Sequence, residues 1–361
     1  MANLIPERSK VSPFFLFFLI PGMQVGVGVF GFPRYLADEA GFDSWLAVII
    51  TGISTSVIIW LVFIILKRGG GDIIEIHRNT FGKWIGGFIS FLMFLYLFSF
   101  SLVILRTYTE VIQIWIFPDL STWSITLAYC ILAYYAVIKG FRVVTGLSIF
   151  AVIISFLAFS SLIGPLEYIE VRNLLPLLDH SISEYLTSAK TMVLGFLGVK
   201  MLFIYYPFIK KPDKAVKWAI GGNVFTLVVY LFVVLAAFVF YSPGQLQKTV
   251  WPLFTMWQII ELPFIERFEY LAIPAWGAVI LSGVCLALWV SSRGFRLLFS
   301  FNQKQTLIVL LLIVFSLSVI FQTREAIDRM NTVTAEIGFY FTYIYIPILW
   351  LIQSIRKKGS S

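Results

Sequence analysis

Residues 22–34 read Gly22-Met23-Gln24-Val25-Gly26-Val27-Gly28-Val29-Phe30-Gly31-Phe32-Pro33-Arg34, directly after an apolar run from Phe14 to Ile20. The run has the length of half a membrane helix, and four glycines and a proline then interrupt it. Lipid offers no partner to freed backbone groups, so such a break must be repaired by neighbouring helices or line a cavity. Which of these holds decides the fold class and the function.

The whole chain is built for the bilayer. Of its 361 residues, 59% are hydrophobic and 13% charged, with a mean hydropathy of +0.91. A soluble domain carries about 25% charged residues. A span needs about 20 apolar residues. Ten segments meet this: 12–32, 45–66, 84–116, 122–138, 143–164, 190–209, 217–241, 270–291, 305–321 and 333–355. They are called spans 1 to 10 below. Span 3, at about 33 residues, should tilt strongly or project beyond the bilayer. A cleavable signal peptide is the competing reading of residues 1–31, because Arg8 and Lys10 precede an apolar stretch followed by small residues. Further membrane segments follow it immediately, which argues against that reading.

The net charge of +8 could suggest nucleic acid as a partner, but its distribution points elsewhere. Eighteen of the 27 Lys and Arg residues fall on one side of the ten-span arrangement, from Arg8 and Lys10 through Lys210, Lys211, Lys214 and Lys217 to Arg356, Lys357 and Lys358. Seven fall on the other side: Arg34, Arg172, Lys190, Lys248, Arg267, Arg324 and Arg329. The positive-inside rule then places both termini in the cytoplasm. The same charges contact anionic lipid, and no nucleic-acid partner is needed to explain them. Cys130 and Cys285 sit in apolar segments as packing residues, and His77 and His180 are far apart, so neither a disulfide framework nor a metal centre is expected. No P-loop, zinc-protease motif or soluble catalytic domain is present, so no enzyme activity and no cofactor are expected.

Span 6 is interrupted like span 1, at Leu194-Gly195-Phe196-Leu197-Gly198-Val199-Lys200, and ends near Pro207. Broken helices at positions one and six of ten imply two five-helix halves of inverted topology, about 12–164 and about 190–355. Paired discontinuous helices are the best sequence pointer to a transporter-type site at mid-membrane. The amides of Gly26, Val27 and Gly28 would face a small anionic or zwitterionic ligand, with Gly195, Phe196, Leu197 and Gly198 opposite them. The competing reading is helix packing, since Gly22 and Gly26 have GxxxG spacing.

Several stretches also resemble one known family. Gly26-Val27-Gly28 with Pro33-Arg34, Asp43-Ser44-Trp45, Phe81-Gly82-Lys83-Trp84-Ile85-Gly86, Arg106 and Glu110, Phe196-Leu197-Gly198 with Pro207, and Ile265-Glu266-Arg267-Phe268-Glu269 are similar to the B subunits of bacterial spore germinant receptors. The resemblance runs in order along nearly the whole chain. It implies the LeuT-like fold of the amino acid–polyamine–organocation transporters, a place in the inner membrane of the spore, A-type and C-type partner subunits, and a nutrient ligand such as an amino acid or sugar. It also implies a pocket walled by Tyr96 and Phe100 on span 3, Leu197 on span 6, and Gly283 and Ala287 on span 8. The last two are small and apolar here where some relatives carry Thr and Tyr, so alanine is not to be assumed as the ligand. Tyr96 and Phe100 share a helix face at i,i+4, which ordinary packing would also explain.

Lys200 lies about 13 Å into span 6 at 1.5 Å per residue, near the bilayer centre. A cation there must face the bundle interior. It could take the place where related folds hold sodium, bind a ligand carboxylate, or serve an ion pathway. Arg106 and Glu110 are four apart near the outer end of span 3 and could pair, with a structural pair at the interface favoured over a ligand site. Glu266, Arg267 and Glu269 form a charged cluster outside span 8, expected at the surface or in a subunit contact. The alternatives to a receptor subunit are a proton-coupled amino acid transporter and a ligand-gated ion or water pathway.

Overall fold

A computed structural model describes residues 5–70, 72–260 and 267–358. Ile265 and Glu266 of the motif preceding span 8 lie outside them. Among the described residues, seven helices are long and apolar enough to cross a membrane, and the bent pair Ile182–Phe196 and Val199–Phe208 makes an eighth. One of the seven, Phe32–Arg68, joins the second half of span 1 to span 2 through the turn Gly41–Ser44; inner and outer below denote the sides of the bundle nearer to and farther from the chain's N-terminus. The shorter apolar helices Pro13–Gln24 and Thr122–Ile138 supply the inner half of span 1 and span 4. With these, the ten spans expected from the sequence are accounted for. Side chains such as Ile53, Phe88, Ile131, Phe150 and Leu312 remain exposed on the outside of the bundle, as a lipid-facing surface requires.

The boundaries moved at spans 6, 8 and 10. Span 6 begins at Ile182, eight residues before the expected start. Its first turn is polar and therefore does not read as membrane, but Ser181 and Glu184 form a reciprocal capping box that fixes it. Lys190 thus belongs to the outer half of span 6 and not to a loop. Span 8 runs Glu269–Phe299, and span 10 runs from Arg324 to Lys358 through a π turn at Phe341–Tyr345.

Span 3, Lys83–Trp115, packs along span 8, and span 8 in turn packs along span 5, Phe141–Ser160. Span 2, Trp45–Arg68, lies against span 7, Val216–Phe240, and the outer half of span 6. Between spans 2 and 3 an inner helix, Ile73–Phe81, starts at an Asp72 side chain that accepts the Ile74 amide at 2.9 Å. Its His77 is buried and bridges Ser90 Oγ at 2.8 Å and Tyr345 Oη at 2.7 Å. Burial pushes the His77 pKa down to about 3, so this bridge is a neutral imidazole at neutral pH.

The two broken spans are tied at their inner ends. Val11 N–H donates to Phe208 O at 2.8 Å, and Lys210 N–H donates to Val11 O at 2.9 Å. This short parallel pairing closes the inner side between spans 1 and 6. On the outer side, the described part of the connection after span 7 contains the helices Pro243–Lys248 and Pro252–Gln258. The second helix buries Phe254 and Trp257 against Phe30, with ring centroids 4.1 and 5.5 Å away.

Candidate functional site

Span 1 breaks at Val25 and Gly26, which leave the helical region together: Val25 has ψ 104°, and Gly26 has φ −137° and ψ −153°. Pro33 is not the breaker. It lies in the first turn of Phe32–Ala40, where a missing N–H costs nothing. Among the described residues no backbone acceptor meets the amides of Gly26, Val27 or Gly28. Gly26 is half-buried, Gly28 is exposed, and a Cβ on either would meet nothing within 4 Å. Gly22 differs, because a Cβ there would lie 2.9 Å from Ser148. The packing reading therefore holds for Gly22 and fails for Gly26.

Span 6 breaks at Leu197 and Gly198, and its two halves meet at 45°. Gly198 has φ +104° and ψ −21° and sits against the side chain of Met23, so the two breaks touch. Gly195 faces elsewhere: a Cβ there would lie 3.1 Å from Met192 and Tyr230, and the Phe196 ring packs on Tyr230 at 5.5 Å. These two residues contact span 7. Leu197 points inward, crowding Gly338 of span 10 together with the Tyr96 hydroxyl.

Behind the break lies a polar network that the sequence reading missed. Gln24 Nε2 donates to Asn223 Oδ1 at 2.8 Å and lies 3.4 Å from Phe196 O. Asn223 Nδ2 donates to Gly52 O at 2.8 Å and Ser56 Oγ at 2.9 Å, and the Tyr230 hydroxyl donates to Gln24 O at 2.7 Å. The network joins spans 1, 2, 6 and 7, and it repairs the span 1 break from one side only. Gln24 Oε1 is buried with no partner. The signal in the sequence was a lone Gln and a lone Asn inside apolar runs.

Tyr96 and Phe100 stack edge to face at 5.2 Å, and both are buried. Gly283 lies opposite span 1, where a Cβ would be 3.9 Å from Gly22 O and 3.5 Å from Ile104. Ala287, one turn further, is fully buried. Lys200 is fully buried and reaches span 3 and span 10: its Nζ lies 3.1 Å from Tyr96 Oη and 3.2 Å from Gly338 O. The ammonium stands 4.2 Å from the Tyr96 ring centroid and 5.3 Å from that of Phe341, in cation–π range. No carboxylate among the described residues pairs with it.

Arg106 and Glu110 do not bond to each other, contrary to the expectation from their spacing. Arg106 donates to Phe321 O at 2.6 Å and Gln322 O at 3.1 Å, carbonyls left open where span 9, Gln303–Ile320, ends. Glu110 pairs instead with Arg324 at 3.0 Å, and Arg324 also holds Asp328 at 3.0 Å. Helix spacing made the intrahelical pair available, and tertiary partners outcompeted it. A swap of Glu110 and Arg324 in one protein is expected to recover at least half of the stability lost by the two single reversals. The double-mutant cycle should give a coupling of about 0.5–3 kcal/mol, with none detectable between Arg106 and Glu110. The reverse pattern would restore the intrahelical pair. Glu269 is also not at the surface: it is 1% exposed in the first turn of span 8 and accepts from Arg267 at 2.7 Å.

Two cavities open elsewhere. One of about 900 Å³ lies at the inner ends of spans 4, 8 and 9, and one of about 590 Å³ lies between spans 3 and 10. Neither is lined by the span 1 break. Among the described residues no cluster of three or more His, Cys, Asp or Glu side chains could hold a metal.

Comparison with known proteins gives a consistent result. The profile described as "Spore germination protein" matches residues 10–327. The chain is 41% identical over 354 residues to spore germination protein GerQB of Bacillus cereus, covering 98% of each chain. It is 24% identical to spore germination protein YndE of Bacillus subtilis (strain 168), covering 99% of each, and 20% identical to spore germination protein A2 of the same organism, covering 97% of each. Its fold is similar to a crystal structure of MhsT in complex with L-phenylalanine, with a TM-score of 0.62 at 16% identity, covering 96% of this chain and 99% of that one. The fold is therefore the LeuT-like fold of a multi-pass membrane protein.

Proposed function

We propose that this chain, which belongs to the spore germination protein family, is the nutrient-sensing subunit of a multi-subunit germinant receptor. Its ligand is a small anionic or zwitterionic nutrient held at mid-membrane between the breaks of spans 1 and 6. The observation that carries this reading is the pair of breaks in contact, with the Gly26 to Gly28 amides unpaired beside open space. A carboxylate is the natural partner of such amides at the start of a half-helix. The unpartnered Gln24 Oε1 lies at the same break and is suited to accept from a ligand amine. The solved structure of similar fold was determined with L-phenylalanine, which is in keeping with a zwitterion.

On this reading the two repeats are about 12–164 and 190–355, both termini are cytoplasmic, and the membrane is the spore inner membrane. The ligand enters from the outer side, where Gly28 is exposed, while the Val11–Phe208–Lys210 pairing closes the inner side. Binding shifts a population between two conformations, and A-type and C-type partner subunits carry the signal. Tyr96, Phe100, Gly283 and Ala287 form the wall away from the Gln24 network.

Thermal unfolding of the purified protein against a panel of amino acids and sugars tests the site. At a hundredfold excess over Kd the right ligand should add about 2.7 kcal/mol of stability. Gly26→Leu should leave the unliganded protein about as stable as wild type, because a Cβ there meets nothing within 4 Å, and should lose the ligand shift. An equal shift in both proteins would move the site away from the break. A second reading, an autonomous transporter, is favoured by the transporter fold, and solute uptake by the protein alone in liposomes would support it.

A further inference from the structure

The outer half of span 10, Arg324–Tyr340, reads Arg-Glu-Ala-Ile-Asp-Arg-Met-Asn-Thr-Val-Thr-Ala-Glu-Ile-Gly-Phe-Tyr. Its depth is set by two bonds. The Tyr96 hydroxyl donates to Thr334 O at 3.2 Å, and Lys200 donates to Gly338 O at 3.2 Å. Glu336 lies between these two carbonyls, on the same turns of helix. At 1.5 Å per residue it is about 18 Å from the outer end of a helix about 50 Å long. Tyr96 and Lys200 are themselves near the middle of spans 3 and 6.

Glu336 nevertheless faces outward. It is exposed on a stripe with Thr332, Val333, Ile337, Tyr340 and Ile344. Among the described residues it makes no hydrogen bond and no ion pair. Lys190 of span 6 is also exposed; its ammonium lies over the Phe339 ring at 5.5 Å and forms no ion pair with Glu336. Beside the stripe runs the cavity of about 590 Å³, walled by Ser99, Leu102 and Val103 of span 3 and by Met330, Val333 and Ile337 of span 10.

A carboxylate at this depth on a lipid-facing surface is unfavourable, and intramembrane acids face a protein partner or a water-filled path. Lipid chains offer it no donor. We infer that this face of span 10 is the docking surface for a transmembrane helix of a second, different polypeptide, which places a Lys or Arg against Glu336 and seats apolar side chains in the groove beside it. The charge requirement names the chemistry of the partner, and the groove sets the line along which its helix lies. The inference deepens the multi-subunit part of the proposed function and rests on it, but it does not depend on which ligand is bound.

The test places a photoreactive benzoylphenylalanine at Ile337, and at Phe150 of span 5 as a control, in the native membrane of the producing cell. Ile337 is expected to give an adduct to a second polypeptide, mapping to a transmembrane segment that carries a basic residue. Glu336→Lys should reduce that adduct at least tenfold, and replacing the mapped basic residue by Glu should restore it. Glu336→Leu should lose the adduct too while keeping the melting temperature of the isolated protein. Adducts to lipid only, to a second copy of this chain, or in equal yield from Phe150 would overturn the inference. So would an adduct indifferent to Glu336→Lys. If subunits still copurify while Ile337 gives no adduct, the surface is wrong and the receptor reading stands.

Discussion

Gly198→Ala is expected to destabilise the protein by about 2–5 kcal/mol, where Gly26→Ala at the partner break should cost less than about 0.5 kcal/mol. Gly198 has φ +104°, in the left-handed region. An L-residue there costs about 1–2 kcal/mol. Its Cβ would also collide with the side chain of Met23. Overpacking of that kind adds about 1–3 kcal/mol. Gly26 is extended, with φ −137°, and its Cβ would meet nothing within 4 Å. Any residue adopts that backbone. The two glycines thus serve opposite ends: Gly198 lets span 6 turn against span 1, while Gly26 keeps space empty. Thermal unfolding of both variants in detergent, without ligand, measures the difference. Equal losses would mean that the space beside Gly26 fills on folding, and the site proposed there would lose its physical basis.

The breaks were legible in the sequence because a membrane helix has few reasons to carry clustered glycines, and their recurrence in spans 1 and 6 exposed the inverted halves. The role of each glycine was not legible, since Gly22, Gly195 and Gly198 pack against Ser148, Tyr230 and Met23, neighbours more than 30 residues away. Polar pairing divided the same way. That Lys200 must face inward follows from its depth alone. Its partners Tyr96 and Gly338 lie 104 and 138 residues distant and could not be read. At Arg106 and Glu110 the local rule was applied where a tertiary competitor existed. The open carbonyls of Phe321 and Gln322 and the guanidinium of Arg324 took both groups. The Gln24–Asn223 network was missed for a related reason: uncharged amides cross membranes without the alarm that a charge raises, yet this one shapes the break.

Lys200→Met is the second large effect, and it should separate response from stability. The ammonium is fully buried, bonded to Tyr96 and Gly338, and faces the Tyr96 and Phe341 rings, with no counter-ion among the described residues. A lone cation at the bilayer centre costs at least about 2.5–3.5 kcal/mol on an isolated helix. Replacing even a buried ion pair by apolar groups of similar volume is often neutral or stabilising, by about 1–4 kcal/mol, and Lys200 has no opposite charge to lose. The Met variant should therefore reach the membrane and melt no lower than wild type. Tyr96 keeps its own bond to Thr334 O at 3.2 Å, so the wall of the site stays in place. What disappears is the tie from the inner half of span 6 to spans 3 and 10. The expected result is a ligand shift like that of wild type with a germination response reduced by about 5–150-fold, the range of a coupling of about 1–3 kcal/mol. Loss of the ligand shift along with the response would instead assign Lys200 to the ligand carboxylate. A fully responsive variant would remove Lys200 from both roles and leave it as a packing residue whose charge the fold merely tolerates.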